Sequence, residues 1–203
     1  KDVVNYSVTV ATPDMVFGDV TVGFGAAIGN DKKVANLGLS AKAGYSNDQL
    51  SASVASDVVI AGIGNDEVAI DADVAAKFSF APVTVDAYYA TKASTANKLF
   101  APKVNAAAEN LLSVKVTSDL KEFGVPVKVT VVGRDLVNTQ VIETSVSSTI
   151  KGVTIGAGFN YGFKAEAYKV SGNASYVFKG FTFAGGVAYT SAKVLTVNAS
   201  VET

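Results

Sequence analysis

Residues 67–80 alternate strictly between two kinds of side chain. The even positions are apolar: Val68, Ile70, Ala72, Val74, Ala76, Phe78 and Phe80. The odd positions are charged or small: Glu67, Ala69, Asp71, Asp73, Ala75, Lys77 and Ser79. Because successive side chains of a strand point to opposite faces, the pattern predicts one strand with an apolar face and a polar face. Such a strand would extend about 45 Å, whereas strands of soluble domains usually stop after about five or six residues.

The same alternation recurs along most of the chain and predicts thirteen strands. Their expected bounds are 3–12, 19–28, 34–45, 49–60, 67–80, 83–91, 110–120, 125–133, 139–150, 153–163, 167–178, 181–191 and 193–203. Turn residues support these divisions, because proline at Ala81-Pro82 cannot donate to a strand ladder. Lys151-Gly152 and Lys179-Gly180 occupy the same frame in two similar segments, which is typical of tight hairpins.

Short and longer connections tend to alternate, and the longest gap is 92–109. This arrangement predicts an all-β, antiparallel up-and-down meander of about 12–14 long strands, with one short-turn end and one loop end. We expect a single domain over residues 1–203, with the presence of a further terminal strand left open.

Composition excludes several classes of function. The chain has no Cys, no His and a net charge of −1. Disulfides, Cys or His metal ligands and His-dependent catalysis are therefore excluded, and no basic surface for nucleic acid is expected. No apolar run is long enough for a transmembrane helix. We predict no enzymatic activity, no cofactor and no metal site.

Aromatic residues gather towards the two ends of the predicted strands. One group flanks the short turns: Phe78, Phe80, Phe123, Tyr176, Phe178, Phe181 and Phe183. The other group lies at the opposite strand ends: Tyr88, Tyr89, Phe159, Tyr161, Phe163, Tyr168 and Tyr189. Between them the apolar positions are mostly small, which would leave the core of a soluble sandwich hollow. Two aromatic bands around an aliphatic belt are instead typical of a transmembrane β-barrel, with lipid as its partner.

The dyad repeat, the two Lys-Gly hairpins and the aromatic placement together resemble bacterial outer-membrane β-barrels of the porin kind. The segment "VAAKFSFAPVTVDAYYATK" is also similar to spirochaete major outer-sheath proteins. The resemblance implies a closed barrel in the bacterial outer membrane. Two features depart from it: the chain ends in Val201-Glu202-Thr203 rather than an aromatic residue, and thirteen strands is an odd number.

The polar face would line the inside of such a barrel. The residues predicted to line the lumen are Glu67, Asp71, Asp73, Lys77, Asp86, Lys115, Asp119 and Lys128. Their mixed charge predicts passive diffusion of small hydrophilic solutes with weak selectivity, although each could simply hydrate a surface. Asp71 and Asp73 share one face about 7 Å apart, which suits acid–base work or Ca²⁺ only if further ligands converge. The 92–109 loop is the candidate constriction or surface epitope.

A second interpretation comes from a different class of protein. Long strands that add edge to edge would build a structural cell-envelope protein, such as an S-layer or sheath subunit in an extracellular surface layer. The odd strand count and the non-aromatic C-terminus favour this alternative, whereas the aromatic bands favour the pore. A homo-oligomer, either a trimer or a lattice, is compatible with both.

Overall fold

The computed structural model describes residues 6–31, 34–64, 68–92 and 109–202. Strands make up most of these ranges: β1 Tyr6–Ala11, β2 Met15–Phe17, β3 Val20–Asp31, β4 Val34–Ser46, β5 Leu50–Ile63, β6 Ala69–Phe80, β7 Val83–Lys92, β8 Glu109–Asp119, β9 Val127–Arg134, β10 Val141–Ile150, β11 Val153–Gly162, β12 Ala167–Phe178, β13 Phe181–Thr190 and β14 Leu195–Glu202. A single 3₁₀ turn, Lys121–Phe123, is the only helical element in the described part. The described residues therefore contain no helix that is long and apolar enough to cross a membrane.

The strands follow one another in a single antiparallel meander sheet. The order runs β1-β3-β4 and then strand by strand to β14, with β2 also paired to β3. This confirms the predicted all-β, up-and-down fold class. Thirteen strand positions are occupied, because β1 and β2 share one side of β3, and they correspond one to one to the thirteen predicted strands.

The predicted strand 3–12 corresponds to β1, which within the described residues runs from Tyr6 to Ala11. The short strand β2, which follows Pro13, was not predicted. Three residues, 12–14, stand opposite the two residues 23–24 of β3, which is a bulge of one residue. The Thr12 hydroxyl accepts a hydrogen bond from Phe24 N at 2.9 Å, and Thr12 N donates to Phe24 O at 2.8 Å. Thr12 thereby keeps the ladder satisfied where proline interrupts it.

The chain divides into two compact units, Lys1–Phe80 with Asp86–Leu112, and Ala81–Val85 with Ser113–Thr203. In the first unit the longest ladders are β3–β4, β4–β5 and β5–β6. In the second unit β8 to β14 pair consecutively. A single domain over 1–203 remains a prediction.

The two Lys-Gly hairpins are confirmed as two-residue turns. Both central residues have positive φ, 49° and 82° at Lys151-Gly152 and 48° and 85° at Lys179-Gly180. Positive φ at both central positions is the type I′ geometry, whose twist matches that of the flanking strands. Glycine tolerates this conformation because it has no Cβ, whereas lysine adopts it at some cost.

Gly180→Ala should lower the free energy of unfolding by about 1–2 kcal/mol, since a side chain strains the left-handed conformation. No atom lies within 4 Å of the added Cβ, so the effect would come from φ alone. Gly185→Ala is the matched control, because Gly185 lies on the following strand, where the nearest atom would be at an ordinary 3.6 Å. Urea unfolding in detergent measures both variants, and equal stability of the two would contradict the turn assignment.

Candidate functional site

Side chains alternate between two surfaces along every long strand. On β6 the even positions Ile70, Val74 and Phe78 are exposed, whereas the odd positions Asp71 and Asp73 are half-buried and buried. The same alternation continues on the neighbouring strands, because the register pairs apolar-side residues of one strand with apolar-side residues of the next. We call the position of a residue in this alternation its strand phase. We call the surface with the even β6 residues and their in-phase neighbours the apolar face, and the opposite surface the polar face.

No protein layer covers the apolar face within the described residues. Val74 is 38% exposed, Ile155 55% and Val187 47%. The buried apolar residues among those described are few: Ala27, Val59, Ala90 and Leu111. By strand phase these four lie on the polar face. In the described residues the sheet therefore has no hydrophobic core packed against its apolar face. A soluble sandwich would require such a core.

Aromatic rings border this apolar face in the second unit. At one end, Tyr176 and Phe178 stack with ring centroids 6.1 Å apart, and Lys179 Nζ lies 5.3 Å from the Phe178 centroid. At the other end, Phe159, Tyr161 and Phe163 form a row with centroid distances of 6.5 and 4.9 Å. Each row combines apolar rings with polar groups, which is the amphipathy that suits a membrane interface.

The placement of Tyr88 in an aromatic band was wrong. Tyr88 is half-buried on the polar face, where its hydroxyl donates to Asp73 Oδ2 at 3.2 Å. Its neighbour Tyr89 is exposed on the apolar face and donates to Asn110 Oδ1 at 3.2 Å. Adjacent strand residues must face opposite ways, so only one tyrosine of the pair can belong to the band.

The structure distributes the predicted lumen residues over the polar face rather than gathering them into one cluster. By strand phase the polar face carries Asp71, Asp73, Lys77 and Asp86 in the first unit, and Lys115, Asp119 and Lys128 in the second. Asp119 and Lys128 stand directly opposite each other on β8 and β9. Glu67 and most of the 92–109 loop lie outside the described residues. That any of the predicted residues lines a lumen remains a prediction.

A row of polar side chains crosses four strands of the first unit. Ser40 on β4 donates a hydrogen bond to Asp57 Oδ1 on β5. Asp57 pairs in register with Asp73 on β6, and Tyr88 on β7 donates to Asp73. Both carboxyl side chains are fully buried, with 0% exposure. Hydroxyl donors on either side thus form hydrogen bonds with two carboxyl groups inside the wall, where an unbonded polar group would be costly.

Sequence reasoning missed Ser40 and Asp57. The alternation around Asp57 is blurred, because Val58, Val59 and Ile60 form an apolar run that hides the phase. Only the register with Asp73 places Asp57 on the polar face. Among the described residues, no group of three or more carboxylates is placed to hold a metal ion.

An ion pair crosses β3 on the polar face of the first unit. Lys42 Nζ lies 2.7 Å from Asp14 Oδ1, which belongs to the bulge between β1 and β2. Between them is Gly23, where a Cβ would lie 2.8 Å from Lys42 Cε. Glycine at this position therefore lets the lysine side chain lie flat across the sheet and reach its partner.

A second charged group lies at the end of β9 and β10 in the second unit. Arg134 forms a fork with Glu143, with Nε–Oε1 and Nη2–Oε2 distances of 3.3 and 2.9 Å. Asn160 on β11 donates to Glu143 Oε1 at 3.1 Å. The two-point contact fixes the orientation of both charged groups relative to the sheet.

The turn that follows Arg134 is organised by a buried carboxylate. Asp135 has positive φ and accepts hydrogen bonds from Asn138 N at 3.2 Å, Asn138 Nδ2 at 2.8 Å and Thr139 N at 3.0 Å. Burial raises the pKa of Asp135, but these hydrogen bonds outweigh it and hold the pKa below its usual value. Ionised Asp135 therefore stabilises the turn at pH above its unfolded-state pKa, and this contribution is lost as pH falls through the folded-state pKa.

Tyr88→Phe should lower the free energy of unfolding by about 1–2 kcal/mol, because it removes a donor from a buried carboxylate. Tyr89→Phe is the matched control on the next residue. It deletes a hydroxyl from an exposed hydrogen bond and should change stability by less than about 0.5 kcal/mol. Urea unfolding in detergent measures both, and a larger loss in Tyr89→Phe would refute the assigned faces.

No family model matches the chain. No curated protein matches it either. Among solved structures, it is similar to three variants of Rh. blastica porin, with three, five and two substitutions. Identities are 12%, 13% and 11%, TM-scores are 0.48, 0.48 and 0.47, and each match covers 97% of this chain and 88% of the other. The antiparallel meander agrees with the predicted resemblance to porin-like barrels.

Proposed function

We propose that the meander closes into a transmembrane β-barrel of a bacterial outer membrane and forms a pore. The pore passes small hydrophilic solutes by passive diffusion and catalyses no reaction. Its apolar face contacts lipid, and its polar face lines a path for water. The exposure of large apolar side chains on this face, on strands of both units, carries this proposal.

That exposure is hard to reconcile with a water-soluble protein. Large apolar side chains such as Ile155, Val187 and Val197 remain uncovered, with 55%, 47% and 72% of their surface exposed. Burial of apolar surface stabilises a protein by about 25 cal/mol for every Å², and a surface left in water lacks this stabilisation. Extended exposed apolar areas mark surfaces that contact a membrane or a partner. Lipid tails would cover this face without a second protein layer.

The dimensions of the strands suit a bilayer. A transmembrane β-strand needs about 9–11 residues when tilted by about 45°. The strands β3 to β8 and β10 to β13 contain 10–14 residues each. The aromatic rows at both ends of β11 to β13 would then lie at the two interfaces, with aliphatic residues between them.

The charges on the polar face suit a weakly selective path. Acidic and basic residues are interspersed there, as in the Asp119–Lys128 pair and the Arg134–Glu143 fork. Neighbouring opposite charges cancel much of each other's field at a distance. A lumen with this lining would admit small solutes of either sign.

The alternative, an edge-to-edge envelope subunit, is favoured by one observation. Every residue of β1 and β14 is exposed, and these are the first and last strands of the sheet order. Exposed strand edges are templates for pairing with another chain. In this case a homo-oligomeric lattice in an extracellular surface layer replaces the pore.

Reconstitution in a planar bilayer tests the pore directly. We expect stepwise conductance in potassium chloride and a change in gel mobility on boiling, because a folded barrel resists the detergent of the gel. A lattice subunit would instead form regular sheets or tubes visible by negative stain and show no conductance. That result would reject the pore in favour of the envelope protein.

Lys128→Glu should shift the reversal potential in a salt gradient towards stronger cation preference, because it reverses an exposed charge on the polar face. Lys179→Glu reverses an equivalent charge in a hairpin outside the strands and is the matched control. An equal shift in both variants would mean that Lys128 does not face the conducting path.

A further inference from the structure

The polar face of β11 to β14 differs from that of the neighbouring strands. In these four strands its charged residues are Lys169 and Glu202, near opposite ends. The remaining polar-face positions of these strands are hydroxyl, amide or small residues, with Val177 as the exception. On β8 to β10, by contrast, Lys115, Asp119, Lys128, Arg134 and Glu143 lie on the polar face.

A cavity of about 680 Å³ lies on this neutral surface. Residues of β12 to β14 line it, most of them on the polar face, and Lys169 is its only charged lining residue in the described chain. The volume falls within the range of about 300–1,000 Å³ that small-molecule sites occupy. Space and polar groups are therefore present together on one rigid sheet.

Two asparagines in the cavity are held flat by glycines. Gly156, Asn173, Gly186 and Asn198 form one row in register across β11 to β14. Asn173 Oδ1 lies 2.6 Å from the place of a Cβ on Gly156, and Asn198 Oδ1 lies 2.8 Å from that on Gly186. Any larger residue at either glycine would have to push the amide away.

The two amides are available to a solute. Both asparagines are exposed, and in the described part of the chain neither side chain forms a hydrogen bond with another residue. The two asparagines lie on β12 and β14, two inter-strand spacings of about 4.8 Å apart, which separates the amides by about 10 Å. Hydroxyls of Ser171, Thr182 and Thr196 also line the cavity.

We propose that this surface is a weak binding site for neutral polyhydroxylated solutes, that is, small sugars and polyols. An amide offers both donors and an acceptor, and a hydroxyl offers both as well, which matches the alternating groups of a sugar. A fully charged solute would find little compensation for its lost hydration on a neutral wall. The proposal deepens the pore function and rests on it, because weak binding along a path helps entry without preventing exit.

Ligand-observed saturation-transfer NMR with maltose tests the site on protein folded in a detergent that contains no sugar. Maltose should receive saturation, whereas gluconate should receive clearly less. Asn173→Ala and Asn198→Ala should each weaken maltose binding about threefold to tenfold, the effect of losing one neutral hydrogen bond. Gln49→Ala, which removes an exposed amide from the turn before β5, should leave it unchanged.

Gly156→Ala gives an independent variant, because it keeps both asparagines and displaces the Asn173 amide. It should weaken maltose binding like Asn173→Ala, while gel mobility without boiling shows that the protein is folded. Unchanged maltose binding in these variants, or stronger transfer to gluconate, would overturn the proposal. The NMR readout needs no conduction, so a protein that binds maltose without conducting would reject the pore and keep the site.

Discussion

The hydrogen-bond ladder between neighbouring strands is the interaction on which the other features depend. Hydrocarbon offers no water to a backbone N–H or C=O, so a strand that faces lipid must satisfy every such group within the sheet. In the proposed membrane setting this requirement favours long, fully paired strands and short turns, whereas the side-chain period of two follows from strand geometry itself. It also explains the bulge at Thr12, whose hydroxyl enters the ladder beside Pro13. A sheet that meets the requirement presents two chemically different faces without any second layer.

Glycine has a recurring use on the polar face in both units. At Gly23 it lets Lys42 lie across the strand to Asp14, and at Gly156 it lets the Asn173 amide lie flat. The geometry is the same, but the outcome differs with the side chain. A lysine becomes half of an ion pair, whereas an asparagine keeps its donors and acceptor exposed. Small residues in these strands therefore place polar groups close to the sheet and keep the space above it open.

The fold was predictable because the face on which a strand residue lies depends only on its position along that strand. The strict alternation from Asp71 to Phe80 defines two faces without knowledge of any neighbour, and Lys151-Gly152 marks its own turn. The polar row was not predictable, because it depends on which residue of β5 faces Asp73. Tyr88 is a different case, because its position relative to Asp86 on the same strand already places it on the polar face, so alternation alone distinguishes it from Tyr89. Pairing register, which no single strand encodes, accounts for the polar row that the sequence could not reveal.

The burial of Asp57 and Asp73 bears on how a polar wall acts on solutes. Carboxyl groups held inside the wall by Ser40 and Tyr88 are engaged by protein donors and do not contact solvent. In the proposed pore, exposed groups such as Lys128 would contact water directly, and their charge would act on a passing ion. The number of acidic residues on a face would therefore be a poor guide to the selectivity of such a pore. A count restricted to exposed side chains would be the better guide, because buried carboxyl groups contact the sheet and not the solute.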